Sequence, residues 1–434
     1  MVLLPAQEQP LKIFLVATTV LLVAIMTVIS ISYLAAPRFH FTINQTVLGW
    51  LGWATLATSS LYISLKYKKE CFFIFLAFFI FGFFSKAYLE PASDQIDHLY
   101  RTHEKCRNID NGTRLNTGLW QYGMNSVFLC EGHKKHQPPE YKLFTIDLLH
   151  GLYLGFASTI LYTISRNAGL PAKWSLLSVI ISILFMGTNK FSYFRYYSYG
   201  PSFTSLCIYW IWISTFFFSI RRKMIFLGLA ASLPLITIMA VNHIQEAVFL
   251  FFLTFFWITI NATEKIFYSK NKYINLAVWI VIIFLTFYIF PQFKAVQEAI
   301  QIIPFKNMWE KNLNVVYFWN NIHVTGKIWQ PQYRVTETIG LIGTLPLAIS
   351  PLLFFANKEK ISISTAVRVT LLGSLPFLVF CTPLFHYLWV AHVKIPVYYR
   401  IAYSSLFWIP IAYFLYAAET LYQYFWSRRR VQDS

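Results

Sequence analysis

The sequence contains few charged residues. Only 12% of its 434 residues are Asp, Glu, Lys or Arg, whereas roughly a quarter of the residues in an ordinary soluble domain are charged. A soluble protein of this length needs a polar surface, and the continuous apolar runs 72–84 and 247–260 offer almost none. The shortage of charge argues against an ordinary soluble fold and predicts that lipid is the main solvent.

Several motifs of soluble enzymes are also missing. The chain has no Gly-rich phosphate loop, no Gly-x-Ser-x-Gly and no Cys-x-x-Cys, so ATP hydrolysis by this chain and a zinc-cysteine site are not expected. Three of the five cysteines fall in apolar runs and fit as packing residues. The other two, Cys106 and Cys130, share one long polar segment, where they could form a disulfide in an oxidising compartment or remain free thiols.

Long apolar runs dominate what is present. A membrane-spanning helix needs roughly 20 residues, and the chain has twelve apolar stretches of about that size between polar breaks. The sequence therefore predicts an all-α transmembrane bundle of about twelve helices, with residues 1–434 forming one integral membrane domain. The predicted spans are 12–35, 46–65, 71–88, 143–164, 174–188, 202–220, 224–240, 246–262, 274–290, 337–356, 365–382 and 400–420.

The formal net charge of +18 would suggest nucleic acid as a partner in a soluble protein. Here the basic clusters lie between or beside apolar spans. If the N-terminus is cytoplasmic and successive loops alternate between the two sides of the membrane, all of these clusters lie on the cytoplasmic side, as the positive-inside rule requires. We therefore expect the bilayer as partner, no nucleic acid, and a cytoplasmic C-terminus. The two longest outer loops are then 89–142 and 291–336, and residues 293–303 of the latter could form an interfacial helix.

An acidic segment follows the third span. If residues 92–101 are helical, four of them share one face: Asp94, Asp97, His98 and Arg101. Two carboxylates beside an imidazole can take a proton from a hydroxyl, or Asp94 and Asp97 can hold a divalent cation such as Mg or Mn. The competing interpretation is a solvated helix start capped by Ser93 or Asp94.

The short outer turn 242–246 also concentrates polar groups. His243 and Glu246, three residues apart at the start of a helix, could act as a base with its orienting partner, bind a metal, or recognise a sugar or phosphate together with Gln245. The alternative is that Glu246 only complements the helix N-terminus.

Cations on the outer side run against the positive-inside rule. Residues 189–201 combine Lys190 and Arg195 with aromatic rings that include Tyr196 and Tyr197, a pattern that suits a phosphate and a sugar or lipid chain, or an aromatic belt with a snorkelling lysine. Further candidates for substrate binding lie near the last outer loops. These are Arg334, Glu337, His392 and Arg400.

This arrangement resembles the GT-C class of membrane glycosyltransferases, which use polyprenyl-phosphate-linked sugars on the outer face of the membrane. The resemblance implies Asp94 or Asp97 as the catalytic or metal-binding acid, and Arg195, Arg334 or Arg400 as ligands of the carrier phosphate. The chain departs from the family because its acidic loop follows the third span, not the first. Lipid-linked polysaccharide polymerases and O-antigen ligases are also similar, with Arg334 and His323 in a late outer loop.

From this resemblance we expect transfer of a sugar to a glycan or lipid acceptor, in a bacterial inner membrane with the site facing the periplasm or exterior. A transporter or flippase for an amphipathic or anionic substrate is the alternative, because Pro234, Pro346, Pro351 and Pro376 interrupt late spans. A non-catalytic assembly role is a third interpretation.

Overall fold

A computed structural model describes fourteen parts of the chain: residues 9–35, 45–86, 101–102, 118–129, 143–185, 201–221, 225–243, 247, 271–284, 350–355, 366, 369, 406 and 408–432. Their secondary structure is helical, with no strand in these residues. The all-α class is therefore confirmed for the described residues. The longer helices are α1 Gln9–Ala35, α2 Gln45–Ser64, α3 Lys68–Lys86, α4 Leu119–Leu129, α5 Leu143–Asn167, α6 Ala172–Ile180, α7 Pro201–Arg221, α8 Ile225–Asn242, α9 Lys272–Phe284 and α10 Trp408–Gln432.

Several helix bounds agree closely with the apolar runs. Helices α2, α5 and α7 begin within a residue of the spans predicted from 46, 143 and 202. Other elements differ from the expected spans. Helix α10 begins at Trp408 and continues to Gln432 through the basic residues 428–430, and the described part of span 337–356 is a 3-10 helix, Ser350–Phe355.

Helix α8 contains Pro234 in its interior. We expected the proline to interrupt the span, but the helix continues to Asn242 on the far side of the proline. The fifth span also departs from regular geometry, because α6 passes into a π-helical turn at Ile181–Phe185. The π-helical turn is a local distortion of the helix.

The chain divides into two compact units. Unit 1 comprises residues 1–167 and 193–255, and unit 2 comprises residues 168–192 and 256–434. In unit 1, α3 packs along α5, α1 packs on α2 and α8, and α7 packs on α8. Unit 1 is thus built from two stretches of chain that are separated in sequence.

Helix α4 lies within the predicted outer loop 89–142, where no helix was expected. It begins after Gly118, which has a φ of 84° that favours glycine, and ten of its eleven residues are buried. Helix α2 approaches it closely at Gly49, where an added Cβ would lie 2.1 Å from the carbonyl oxygen of Gly123. At about 1.5 Å per residue the eleven residues of α4 are only about 16 Å long, so α4 is a short helix buried inside unit 1.

The other end of unit 1 is basic. A 3-10 turn, Leu65–Tyr67, joins α2 to α3, and the Tyr67 hydroxyl donates a 3.4 Å hydrogen bond to the carbonyl oxygen of Arg166, in the last turn of α5. The Arg166 guanidinium lies 4.7 Å from the Tyr67 ring centroid, and the Lys66 ammonium lies 5.2 Å from it. The end of α5 and the α2–α3 turn therefore meet through one buried aromatic ring.

Unit 1 exposes large apolar side chains. Helix α1 exposes Ile13, Val20 and Val28, each more than 60% accessible, and α3 exposes Phe72 and Phe73 to the same degree. Among the described residues, two helices are long and apolar enough to cross a membrane, Gln9–Ala35 and Phe144–Asn167. Length and composition alone also admit a signal sequence or a buried helix of a soluble protein, so the twelve-helix bundle stays a prediction.

Unit 2 contains α6, α9, α10 and the 3-10 helix Ser350–Phe355. The Tyr413 hydroxyl of α10 donates a hydrogen bond to the carbonyl oxygen of Ala168, just before α6. The Glu419 carboxylate accepts from the Lys173 ammonium at 2.9 Å and from the Trp174 indole at 2.8 Å. These contacts join α10 to α6.

Candidate functional site

Two amide side chains and a tyrosine form a buried cluster at one end of unit 1. Gln121 and Asn125 are one turn apart on α4, and Tyr153 lies on α5; none of the three has solvent-accessible surface. We call these three residues the amide–tyrosine cluster. The Gln121 Nε2 donates to Asn125 Oδ1 at 3.1 Å and to the Tyr153 hydroxyl, which itself donates to Asn125 Oδ1 at 2.5 Å.

The start of α7 is attached to this cluster through Thr204. The Gln121 Oε1 accepts a 3.1 Å hydrogen bond from the backbone N–H of Thr204 and a second from its hydroxyl. The first backbone N–H groups of a helix have no partner within the helix. The side-chain oxygen of Gln121 on α4 accepts one of these N–H groups, that of Thr204 in α7.

The end of α8 is attached through Asn242. Its Oδ1 accepts from the backbone N–H of Gln121 at 2.9 Å, and its carbonyl oxygen accepts from the N–H of Gly118 at 2.7 Å. The Asn242 Nδ2 donates to the Ser205 hydroxyl at 3.0 Å. The last residue of α8 thus satisfies N–H groups at the start of α4 and also binds α7.

Thr102 is the third attachment. The Asn125 Nδ2 donates to its hydroxyl oxygen at 3.4 Å, and Thr102 is fully buried. Because Thr102 directly follows Arg101, the cluster holds the end of the acidic segment 92–101.

Two tryptophans enclose the cluster. The Trp53 ring stacks on Tyr153 at 5.1 Å between centroids, and its indole N–H donates to the carbonyl oxygen of Met124 at 2.9 Å. The Trp120 indole donates to the Ser30 hydroxyl of α1 at 3.1 Å. The three side chains of the cluster are neutral and fully buried, so the cluster is suited to holding segments in place.

Of the predicted site residues, two are described. Arg101 is exposed beside buried Thr102. His243 is half-buried, and its backbone N–H donates to the carbonyl oxygen of Met239 at 2.6 Å, which extends the last turn of α8. The predictions that lie outside the described residues are Asp94, Asp97, His98, Lys190, Arg195, Tyr196, Tyr197, Gln245, Glu246, Arg334, Glu337, His392, Arg400 and the Cys106–Cys130 pair.

The structure nevertheless brings together the borders of three predicted segments. The acidic segment 92–101 is followed by Thr102. The aromatic segment 189–201 is followed by the first helical turn of α7, which contains Thr204, and the segment 242–246 begins at Asn242. All three border residues bind Gln121 or Asn125. Segments far apart in the sequence therefore start or end within one hydrogen-bonded cluster.

A divalent cation would need oxygen ligands such as Asp94 and Asp97. In the part of the chain that the structure describes, no three His, Cys, Asp or Glu residues are grouped to hold a metal ion. Both aspartates lie outside that part, so the Mg or Mn site stays a prediction.

Several residues at this end were not predicted from the sequence, among them Gln121, Asn125, Asp147 and His150. Gln121 and Asn125 carry no charge, and a search for ionisable side chains passes over them. Asp147 and His150 are ionisable and lie one turn apart inside the apolar run 143–164; Asp147 is half-buried and His150 fully buried in α5. An acid and an imidazole within an apolar helix are a signal for function that the sequence did offer.

A scan against protein-family models finds no match, and searches of the curated proteins and of the solved structures also find none.

Proposed function

We propose that the chain is a membrane glycosyltransferase that moves a sugar from a polyprenyl-phosphate carrier to a glycan or lipid acceptor, at the end of unit 1 that contains the amide–tyrosine cluster. The observation that carries the proposal is the attachment of Thr102, Thr204 and Asn242 to Gln121 and Asn125. It brings the borders of an acidic, a cationic-aromatic and a histidine-bearing segment to one place.

The proposed membrane setting rests on side-chain exposure together with sequence. Unit 1 exposes apolar residues along α1 and α3, which in water would be an unusually large apolar surface. In the proposed topology of about twelve spans with both termini cytoplasmic, the cluster belongs to the outer end. Two arguments support this orientation. The basic turn at Tyr67 and Arg166 forms the other end of unit 1, and membrane proteins retain lysines and arginines on the cytoplasmic side.

In the proposed reaction a carboxylate, Asp94 first and Asp97 second, accepts the proton of the acceptor hydroxyl. The hydroxyl oxygen forms a bond to the anomeric carbon from the side opposite the carrier, so the configuration inverts. The bond from that carbon to the phosphate oxygen breaks, and its electron pair leaves with the polyprenyl phosphate.

The leaving phosphate gains negative charge as that bond breaks. Arg195, with Lys190 as a second cation, is the proposed partner of this charge, because guanidinium groups bind phosphate oxygens in pairs and stabilisation of growing charge is usually the largest catalytic contribution. Arg334 and Arg400 are the candidates in the late loops. Tyr196 and Tyr197 would stack on the sugar or line the path of the prenyl chain.

Purified protein in liposomes tests the proposal with labelled polyprenyl-phosphate sugar. We expect wild-type protein to transfer label, and Asp94→Asn or Asp97→Asn to lose at least about 100-fold in rate, the usual scale for loss of a general base. Glu419→Gln, which removes a carboxylate from the α6–α10 contact, is the matched control and should keep full activity. Undiminished transfer by both aspartate variants would remove them from the mechanism.

Transport is the second candidate, and particular features favour it. Transporters bind substrates at broken or half-length helices, and here α4 spans only eleven residues, α8 contains Pro234, and α6 passes into a π turn. Uptake of labelled carrier lipid or sugar phosphate by the same liposomes, without transfer of label, would favour this function over the transferase.

A further inference from the structure

Gln121 bonds through every hydrogen-bonding group of its side chain. Its Oε1 accepts twice from Thr204 of α7, and its Nε2 donates to Asn125 of α4 and to Tyr153 of α5. Its backbone N–H donates to Asn242 of α8. A single residue of a short helix is therefore bonded to three other helices of unit 1.

We propose that Gln121 is a positioning residue that fixes Thr102, Thr204 and Asn242 relative to one another, the residues at the borders of the candidate segments 92–101, 189–201 and 242–246. Its effect on catalysis rests on the proposed function, since those segments carry the proposed base and phosphate ligands. Gln121 does not touch substrate in this role. It acts through Asn125 on Thr102, and directly on Thr204 and Asn242.

The chemistry of an amide explains why glutamine suits this position. The position needs one oxygen that accepts two hydrogen bonds and one nitrogen that donates two, and a neutral amide provides both. An ionised carboxylate would keep the acceptor but lose both donors, and asparagine is one methylene shorter. Leucine has a similar size and offers neither group.

The placement of Gln121 also accounts for the burial of α4. A half-length helix exposes unsatisfied N–H groups at its start, and here Asn242 accepts from two of the N–H groups at that start, those of Gly118 and Gln121. Because the same residues that cap α4 border the candidate segments, a change at Gln121 is transmitted to those segments and not only to local stability.

A distance measurement tests the proposal without reference to activity. Spin labels at Arg101→Cys and His243→Cys, in a protein whose five native cysteines are replaced, report the separation of the acidic segment from the α8 turn. We expect one narrow distance distribution with Gln121 present and a broadened or shifted one in Gln121→Leu.

Ser158→Ala is the matched control. Ser158 is also fully buried, and its hydroxyl donates only to the Leu154 carbonyl oxygen of its own helix, so this variant should leave the distribution narrow. If Gln121→Leu does not fold, Thr102→Val decides, because it removes the hydroxyl that binds Asn125 beside the label at residue 101. An unchanged distribution in the folded Gln121 variant, or in Thr102→Val when that variant decides, overturns the proposal.

Kinetics separate positioning from the proposed function. With labelled polyprenyl-phosphate sugar, Gln121→Leu should lower kcat by about 10-fold to 100-fold, the scale of a displacement of about 1 Å, with little change in KM. Gln121→Glu, which is isosteric and can donate one hydrogen bond when protonated, should recover part of the loss at low pH. If the distances broaden but wild-type protein transfers no sugar, the positioning role stands and the glycosyltransferase proposal fails.

Discussion

The two ends of unit 1 are held together by different chemistry. At one end, neutral side chains bind one another in a cluster with no exposed surface, centred on Gln121 and Asn125. At the other end, two cations lie over the ring of Tyr67, and the Tyr67 hydroxyl donates one long hydrogen bond. Along α5 the two contacts, at Tyr153 and Arg166, are separated by about 20 Å.

The difference indicates which end has the more narrowly defined side-chain geometry. A fully satisfied network of neutral groups has one geometry, and leaving any buried group without its partner costs about 1–3 kcal/mol. Cation–π contacts tolerate several positions of a long side chain, and Lys66 is itself exposed. Small changes should therefore be more damaging at the amide end than at the basic end.

The largest effect is expected at Gly49, where α2 meets α4. An exposed Gly→Ala change in a helix normally stabilises by up to about 1 kcal/mol. Here the added Cβ would lie 2.1 Å from the Gly123 carbonyl oxygen and 2.4 Å from a Val127 methyl, so we expect Gly49→Ala to lower the free energy of unfolding by about 3 kcal/mol, the upper end of the usual range for overpacking. Thermal unfolding in detergent, followed by tryptophan fluorescence, measures it.

Gly52→Ala is the matched control for Gly49→Ala. Its Cβ would meet only the flexible Met124 side chain, at 2.7 Å from Cγ, so a smaller loss is expected. Equal losses of unfolding free energy in both variants would mean that the close backbone contact at Gly49 does not determine the effect.

A pair of Tyr→Phe variants compares the two ends directly. Tyr153→Phe removes a hydroxyl that donates to Asn125 and accepts from Gln121, and should cost about 1–3 kcal/mol because buried amide groups lose partners. Tyr67→Phe removes a 3.4 Å hydrogen bond and keeps the ring under both cations, and should cost less than about 0.5 kcal/mol. The comparison fails if the two variants have equal unfolding temperatures.

An effect smaller than that of Tyr153→Phe is expected from charge at the basic end. Arg166→Gln removes a cation from the Tyr67 ring and from the last turn of α5, where a positive charge is favourable, at a cost of about 0.5–1 kcal/mol. Arg166→Lys should restore most of it. Raising the salt concentration should shrink the difference between the two variants, which a series of unfolding midpoints would measure.

Apolar runs allowed several helices to be predicted, because a continuous apolar run of about 20 residues such as 46–65 favours a helix, and α2 occupies it. The same rule could not find α4. Its sequence, Leu119–Leu129, is too short for a span and contains Gln121 and Asn125, whose partners Thr204 and Asn242 are distant in the chain. Polar residues that are satisfied only by tertiary contacts carry no local pattern, so the cluster is visible only once the helices pack.

The sequence marks three candidate segments but not the residues that join their borders. Charged and aromatic residues marked 92–101, 189–201 and 242–246, and the structure describes Arg101 and His243 at two of their borders. The roles of Asp94, Asp97 and Arg195 stay predictions. Asp147 and His150 could have been found by asking which ionisable residues interrupt an apolar run.

The link between Gln121 and Asn242 spans 121 residues of sequence. During synthesis at about 5–20 residues per second, α4 leaves the ribosome about 6 to 24 s before the residue that caps it. Over that interval α5 to α8 are still being synthesised, and the polar start of α4 lacks its final partners. Biogenesis of unit 1 must therefore shelter an unfinished helix until α7 and α8 arrive, and a nascent chain stalled before residue 242 would expose that helix to quality-control proteases.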